Sequence, residues 1–143
     1  MPDIRHLIQI SADETTIFHL VNGGEGFLKW WAEDIFDDSG EVVSLGFFNR
    51  STVYRLRLHE VVPRSRVVWR CETGGEWEGT QLVFDLAPKG SQTELRFTHS
   101  GWKGETDYLL SCNTTWGELM YRIKSAAEGA GEQPLFNIAG IAY

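Results

Sequence analysis

The sequence predicts an α+β fold in which one long C-terminal helix packs across a curved antiparallel sheet of about six strands, accompanied by two short helices. Between residues 41 and 100, apolar side chains recur at every second position, which is the period of strands with one buried face. From about residue 107 to Gly129 they recur at every third or fourth position, as on an amphipathic helix. The largest apolar surface available to that helix is the inner face of the strands.

The N-terminal third predicts one strand and two short helices. Residues 3–10 alternate like a strand, and residues 11–14 match a capping box in which the Ser11 hydroxyl begins a helix ending at residues 22–24. Residues 27–31 predict a second, shorter helix. The acidic residues that follow lack the ligand spacing of a calcium loop, so a solvated loop is expected there.

Residues 41–100 predict antiparallel strands with one dry face and one wetter face. Turn signals separate the strands at Pro63, at the glycine-rich residues 74–79 and at residues 89–90. The inward-facing set is nearly all apolar. It comprises Tyr54, Leu56, Leu58, Val67, Trp69, Cys71, Leu82, Phe84, Leu86, Leu95, Phe97 and His99.

The long helix is expected to begin between Gly104 and Asp107 and to end near Gly129, because Pro134 prevents its early resumption. Its apolar stripe consists of Leu109, Cys112, Trp116, Leu119, Met120 and Ile123. The tail beyond it is unusually apolar, with Leu135, Phe136, Ile138 and Ile141. Since an exposed apolar patch is uncommon in a soluble monomer, we expect the tail to pack on the domain or against a second subunit, so a homodimer is one expectation.

Size and charge exclude several classes of protein. The chain has 143 residues, suits a single domain over residues 1–143, and contains no internal repeat or linker. Its formal net charge of −7 argues against a nucleic-acid partner, because phosphate binding requires a basic surface. No apolar run approaches the ~18 residues of a membrane span, and the charged N-terminus lacks a signal peptide's apolar core. We therefore expect no membrane span and a cytoplasmic location.

Two catalytic or metal-binding arrangements that the sequence suggests are not favoured. His99, Ser100 and Asp107 suggest a hydrolase triad, but adjacent strand residues point to opposite faces and no Gly-x-Ser-x-Gly motif is present. Cys71, Cys112 and His99 suggest zinc, but zinc ligands usually come in close sequence pairs, and two cysteines make no disulfide framework. No catalytic residue and no metal site is predicted.

Three stretches of the sequence carry a resemblance to a known family. The first joins Ile10-Ser11-Ala12-Asp13-Glu14 to Leu28-Lys29-Trp30-Trp31. The second joins Tyr54-Arg55-Leu56 to Glu60-Val61-Val62-Pro63-Arg64-Ser65-Arg66-Val67-Val68-Trp69. The third joins Thr80-Gln81-Leu82-Val83-Phe84, Leu95-Arg96-Phe97-Thr98-His99-Ser100-Gly101-Trp102 and Trp116-Gly117-Glu118-Leu119. On these motifs the chain resembles the START-like helix-grip (SRPBCC) proteins, and within them the homologues of the activator of heat-shock protein 90 ATPase.

The resemblance implies the helix-grip fold, which hosts lipid carriers, hormone receptors, polyketide cyclases and small bacterial proteins. Members that act as co-chaperones carry an additional N-terminal domain that engages the chaperone. In this sequence the domain starts almost at Met1, so a chaperone partner is not expected.

The leading hypothesis is cofactor-free binding of a small hydrophobic ligand, aromatic or acyl, in a cavity between sheet and long helix. The predicted ligand-binding residues are Tyr54, Leu56, Trp69, Phe84, Phe97, His99, Leu109, Cys112 and Trp116. Tyr54 and His99 are expected to orient the ligand, in a cavity of roughly 300–1,000 Å³. Two alternatives remain: a protein-interaction or co-chaperone-like module with a filled core, and a cyclase-like enzyme, which would need polar groups deep in the pocket.

Overall fold

One seven-stranded antiparallel sheet and three α-helices form the fold of the computed structural model, which describes residues 2–130 and 133–137. The strands are β1 (Ile4–Ile10), β2 (Ile35–Phe36), β3 (Val42–Phe47), β4 (Thr52–Val62), β5 (Arg66–Thr73), β6 (Gln81–Lys89) and β7 (Gln92–Ser100). The helices are α1 (Glu14–Val21), α2 (Gly24–Phe27) and α3 (Asp107–Ala127), with a 3₁₀ turn at Gly75–Trp77. The sheet order β1-β7-β6-β5-β4-β3-β2 is a meander closed at one edge by the N-terminal strand.

The predicted α+β helix-grip architecture is confirmed, with one strand more than expected. The additional strand is β2, which pairs Ile35 with Leu45 and Phe36 with Ser44 inside the acidic segment that was predicted to be a loop. Two residues are too few to produce a visible alternation, so periodicity gave no signal for this strand.

The predicted capping box at the start of α1 is wrong. Asp13, rather than Ser11, caps the helix, because its carboxylate accepts a hydrogen bond of 2.8 Å from the backbone N–H of Thr16. This bond also lowers the pKa of the Asp13 carboxyl. Ser11 instead connects distant elements: its backbone N–H donates to Glu128 and its hydroxyl accepts from Gln92.

The second helix is displaced from its predicted position. Helix α2 ends at Phe27, and the residues that follow it form turns. The carbonyls of Trp30 and Trp31 do not continue a helix because they accept hydrogen bonds from the backbone N–H groups of Leu135 and Phe136, at 3.1 and 3.0 Å. The described part of the tail, residues 133–137, therefore packs on this domain, one of the two arrangements expected for the tail. Ile138 and Ile141 lie outside the described residues.

Helix α3 buries the stripe that its sequence predicts. The hydroxyl of Thr106 accepts from the backbone N–H of Leu109 and caps the helix, which then runs to Ala127. Its buried residues are Leu109, Cys112, Trp116, Leu119, Met120 and Ile123. On the opposite side, the Tyr121 side chain is 65% exposed. Within the described residues, no helix combines the length and the apolar composition needed to cross a bilayer.

Candidate functional site

A cavity of about 190 Å³ lies between α3, the β3–β4 hairpin and the tail. Its lining residues are Trp31, Phe47, Phe48, Thr52, Tyr54, Trp77, Tyr108, Ser111, Cys112, Thr115, Trp116, Leu119 and Phe136. The three tryptophans are buried and form the inner wall. Phe48 and Tyr108 are 48% and 37% exposed, so they mark the mouth of the cavity.

Stacked aromatic rings form the inner wall. The rings of Tyr54 and Trp77 are parallel within 3°, with centroids 3.8 Å apart. Trp77 and Trp116 are also nearly parallel, at 18° and 5.9 Å. Gly74 makes the first stack possible, since its φ of +127° disfavours side chains and an added Cβ would overlap the Tyr54 ring. The inner wall is therefore built of aromatic rings packed face to face.

Hydroxyl and thiol groups lie together at one end of the cavity. The hydroxyls of Tyr54 and Tyr108 are hydrogen-bonded to each other, and the indole N–H of Trp77 points at the Cys112 sulfur across 3.5 Å. Burial raises the pKa of Tyr54 well above its ordinary value, and the bond to Tyr108 raises it further. Burial likewise raises the pKa values of Tyr108 and Cys112. At neutral pH all three groups are protonated, so they act as hydrogen-bonding groups and are poor bases.

His99 lies behind this wall in a fully bonded network. Its Nδ1 accepts from the indole N–H of Trp116 at 3.2 Å, and its Nε2 lies 2.8 Å from the Thr80 hydroxyl. Because that hydroxyl donates to the Trp77 carbonyl at 2.6 Å, the proton on the imidazole is assigned to Nε2. Burial lowers the pKa of His99 to about 3. The imidazole is therefore neutral and joins two walls of the cavity.

A polar groove of about 550 Å³ continues outward from the mouth. It shares Thr52 and Tyr108 with the cavity and is also lined by Ser51, Val53, Gly74, Gly75 and Glu76. The Glu76 carboxylate accepts a hydrogen bond of 2.6 Å from Thr106. A molecule that left the cavity by this route would pass from apolar to polar surroundings.

Three of the nine predicted site residues, Tyr54, Cys112 and Trp116, line the cavity. The other six are buried in the core around it: Leu56, Trp69, Phe84, Phe97, His99 and Leu109. The cavity is smaller than expected because tryptophan side chains fill much of the space between the sheet and the helices. Trp30 packs against Phe84, and Trp69 donates its indole N–H to the Val21 carbonyl at 2.9 Å.

Sequence reasoning missed several lining residues, for two different reasons. Tyr108, Ser111 and Thr115 follow helical spacing beside the apolar stripe, so a search for polar residues flanking that stripe would have found them. Phe136 gave no local signal. Its ring reaches the cavity because the tail folds back and packs edge-on against Phe47, with centroids 5.0 Å apart.

Within the described residues, no three His, Cys, Asp or Glu side chains are grouped so as to hold a metal ion. Cys71 and Cys112 are both free and buried. Burial raises the pKa of the Cys71 thiol to about 12. In this state each thiol packs as a small apolar group.

Comparison with known proteins identifies the family. The family model described as Activator of Hsp90 ATPase homolog 1-like protein matches residues 21–128, three quarters of the chain. The chain belongs to this family. No curated protein matches its sequence. The START-like resemblance predicted from the sequence is thereby confirmed.

Several solved structures share the fold of this family member. It is similar to the Aha1 dimer from Colwellia psychrerythraea, with 29% identity and a TM-score of 0.78 over 92% of this chain and 100% of that one. A START superfamily protein from Mycobacterium smegmatis matches at 14% identity and a TM-score of 0.69, covering 90% and 99% of the two chains. Protein MLL2253 from Mesorhizobium loti matches at 12% identity and a TM-score of 0.73, covering 91% of this chain and 99% of that one. The last two likenesses concern the fold alone.

Proposed function

We propose that this domain binds one small hydrophobic ligand, without a cofactor, in the cavity between the sheet and the long helix. The observation that carries the proposal is a cavity with aromatic walls between the sheet and α3, where the rest of the interface is filled by buried side chains. Ser111 and Thr115 face this space from α3, where a leucine at either position would fill part of it. Unfilled apolar space costs packing energy, so its retention fits a binding role.

Of the nine residues predicted from the sequence, Tyr54, Cys112 and Trp116 contact the ligand directly in this proposal. The six buried around the cavity have a supporting role: Leu56, Trp69, Phe84, Phe97, His99 and Leu109. His99 illustrates this role, because both of its ring nitrogens are already bonded within the protein. It orients Trp116 rather than the ligand.

A cavity-filling variant tests the proposal. Native mass spectrometry of the purified protein, followed by extraction and identification of what co-purifies, is expected to give one small apolar species per chain. Thr115→Leu is expected to abolish its retention, because the added methyl group and the longer side chain occupy the cavity. Thr114→Leu is the matched control, since this neighbour lies exposed on the same helix. Equal retention in both variants would place the ligand elsewhere and overturn the proposal.

A second candidate function is a co-chaperone-like interaction, favoured by the family match and by the likeness to Aha1. It is tested by adding the purified domain to a heat-shock protein 90 ATPase assay. Stimulation that persists in Thr115→Leu would assign this activity to an outer surface. Loss of stimulation in the filled variant would tie it to the cavity. A cyclase-like reaction that needs a general base is less favoured, because the titratable groups lining the cavity stay protonated at neutral pH.

Two further proposals concern assembly and location. The relative from Colwellia psychrerythraea is described as a dimer, and we propose a homodimer for this chain, tested by light scattering coupled to size-exclusion chromatography. Both cysteines are free, which fits a reducing compartment and supports a cytoplasmic location.

A further inference from the structure

The size and the lining of the cavity restrict its ligand to a narrower chemical class. We propose that the ligand is a neutral, single-ring aromatic compound that carries a hydroxyl group, that is, a compound of the phenol class. This inference rests on the function proposed above and chooses between the aromatic and acyl ligands that the sequence left open.

Volume sets the first restriction. An engineered apolar cavity of about 150 Å³ holds one benzene molecule, so the roughly 190 Å³ available here accommodates one ring with one or two small substituents. The Tyr54 and Trp77 rings cover each other's facing surfaces, but the lining also includes the rings of Trp31, Phe47 and Phe136, against which a ligand ring packs in offset or edge-on geometry. A long acyl chain does not fit within this space. Its remainder would extend into the polar groove, where it would lose the benefit of apolar burial.

Charge sets the second restriction. Every described residue that lines the cavity is uncharged. A carboxylate inside it would be desolvated with no cationic side chain beside it, and removing an ion from water without such a partner is strongly unfavourable. At the mouth, Glu76 lines the groove and would repel an anion there as well. Fatty acids and aromatic acids are therefore disfavoured as ligands.

Hydrogen bonding sets the third restriction. The paired hydroxyls of Tyr54 and Tyr108 contain two protons, and the bond between them uses one. Because the Tyr108 hydroxyl also interacts with the Cys112 thiol, lone pairs on these oxygens are what remains, and they can accept a hydrogen bond from a ligand hydroxyl. Ser111 and Thr115 add two hydroxyls to the same lining. A hydroxyl on the ring matches this end of the cavity, whereas an unsubstituted ring leaves these groups without a partner from the ligand.

Four probes that vary the hydroxyl group, the charge and the ring test the inference, with binding followed at neutral pH by calorimetry and tryptophan fluorescence. They are 4-methylphenol, toluene, 4-methylbenzoate and decanoate. We expect 4-methylphenol to bind at least about tenfold more tightly than the two anions and about three- to tenfold more tightly than toluene. Removing both hydroxyls, by Tyr54→Phe together with Tyr108→Phe, should reduce the advantage over toluene, while Tyr121→Phe, on the exposed side of the same helix as Tyr108, should leave it unchanged.

The outcomes separate this inference from the proposed function. Tightest binding of decanoate or 4-methylbenzoate would overturn the ligand class while leaving a hydrophobic-ligand carrier in place. Equal binding of toluene and 4-methylphenol to the unaltered protein would overturn the hydroxyl assignment. If the double variant fails to fold, Thr115→Val provides a comparable test, because Thr115 contributes another hydroxyl to the lining from the same helix. Binding of none of the four, together with no co-purifying species, would remove the proposed function itself.

Discussion

Trp116 donates its indole N–H to Nδ1 of His99 across 3.2 Å, and this bond joins the long helix to the sheet behind the cavity. Through the Thr80 hydroxyl, the same imidazole is connected to the backbone of Trp77. Two tryptophans that wall the cavity are therefore held by one neutral histidine. A change at any member of this network is expected to alter both the stability of the domain and the shape of the cavity.

Replacing Trp116 by alanine is expected to lower the free energy of unfolding by about 3–5 kcal/mol, because its side chain is 1% exposed and its hydrogen bond to His99 is lost. Urea denaturation measures the change. Tyr121→Ala, on the exposed side of the same helix, is the control and should shift stability by no more than about 0.5 kcal/mol. An unchanged midpoint for Trp116→Ala would contradict the packing described for α3.

Burial of His99 predicts a pH dependence of stability. The folded-state pKa is about 3, against 6.5 for the exposed group, so between these values the unfolded chain binds the proton more readily. The contribution of the neutral His99 side chain to the free energy of unfolding is fully present above about pH 6.5. It is lost as the pH falls toward 3, at up to about 1.4 kcal/mol per pH unit. Urea midpoints measured between about pH 7 and pH 5 should therefore decrease.

His59→Gln is the control for this pH effect, since His59 is exposed. Measuring above about pH 5 avoids the range in which the carboxyl groups titrate. The pKa values of Glu72 and Glu128 are lowered further by their bonds to Arg57 and Lys124. Ring signals of His99 followed by NMR supply an independent measurement and should remain those of the neutral imidazole throughout. A His99 signal that titrates near 6.5 in the folded protein would contradict the network.

The sequence predicted the fold well because local periodicity determines it. Alternation along residues 41–100 shows which side of each strand faces inward. The apolar stripe of α3 can likewise be recognised from the helix sequence alone. The cavity could not be predicted in the same way. The volume of the cavity depends on how much of the space between sheet and helix is occupied by Trp30 and Trp31. These two rings are stacked with their centroids 5.3 Å apart. Such packing between distant segments leaves no periodic signal in the sequence.

Gly74 and Gly75 form a matched pair for testing the aromatic wall. Both have positive φ, but an added Cβ at Gly74 would overlap the Tyr54 ring, whereas one at Gly75 would meet open space. Gly75→Ala should cost about 1 kcal/mol of backbone strain. Gly74→Ala should cost about 3 kcal/mol or more and should change the near-ultraviolet circular dichroism of the Tyr54–Trp77 stack. Equal effects of the two substitutions would show that Tyr54 does not lie where it is described.

Thiol labelling reports on occupancy of the cavity. Burial raises the pKa of both thiols, to about 12 for Cys71, so both should react slowly in the folded protein. Cys112 lines the cavity and Cys71 does not. Saturating 4-methylphenol should therefore slow the labelling of Cys112 by iodoacetamide several-fold and leave Cys71 unchanged, as measured by peptide mass spectrometry. Equal protection of both thiols would indicate global stabilisation rather than occupancy.

The tail is expected to control the size of the ligand that the cavity accepts. The Phe136 ring closes one side of the cavity, where it packs edge-on against Phe47. Phe136→Ala should enlarge the space, so that the two-ring probe 1-naphthol gains affinity relative to 4-methylphenol, with a modest loss of stability because the ring is half-buried. Calorimetry with the two probes measures the ratio of affinities.

Phe36→Ala is the control for the tail prediction, because this phenylalanine is also half-buried but contacts Arg50 and does not line the cavity. A chain that ends at Gly131 should show the same change in the ratio of affinities as Phe136→Ala. It should also be less stable, since it additionally loses the hydrogen bonds from the tail backbone to the Trp30 and Trp31 carbonyls. A shortened chain with unchanged probe selectivity, melting temperature and elution volume would show that the tail is not a wall of the cavity.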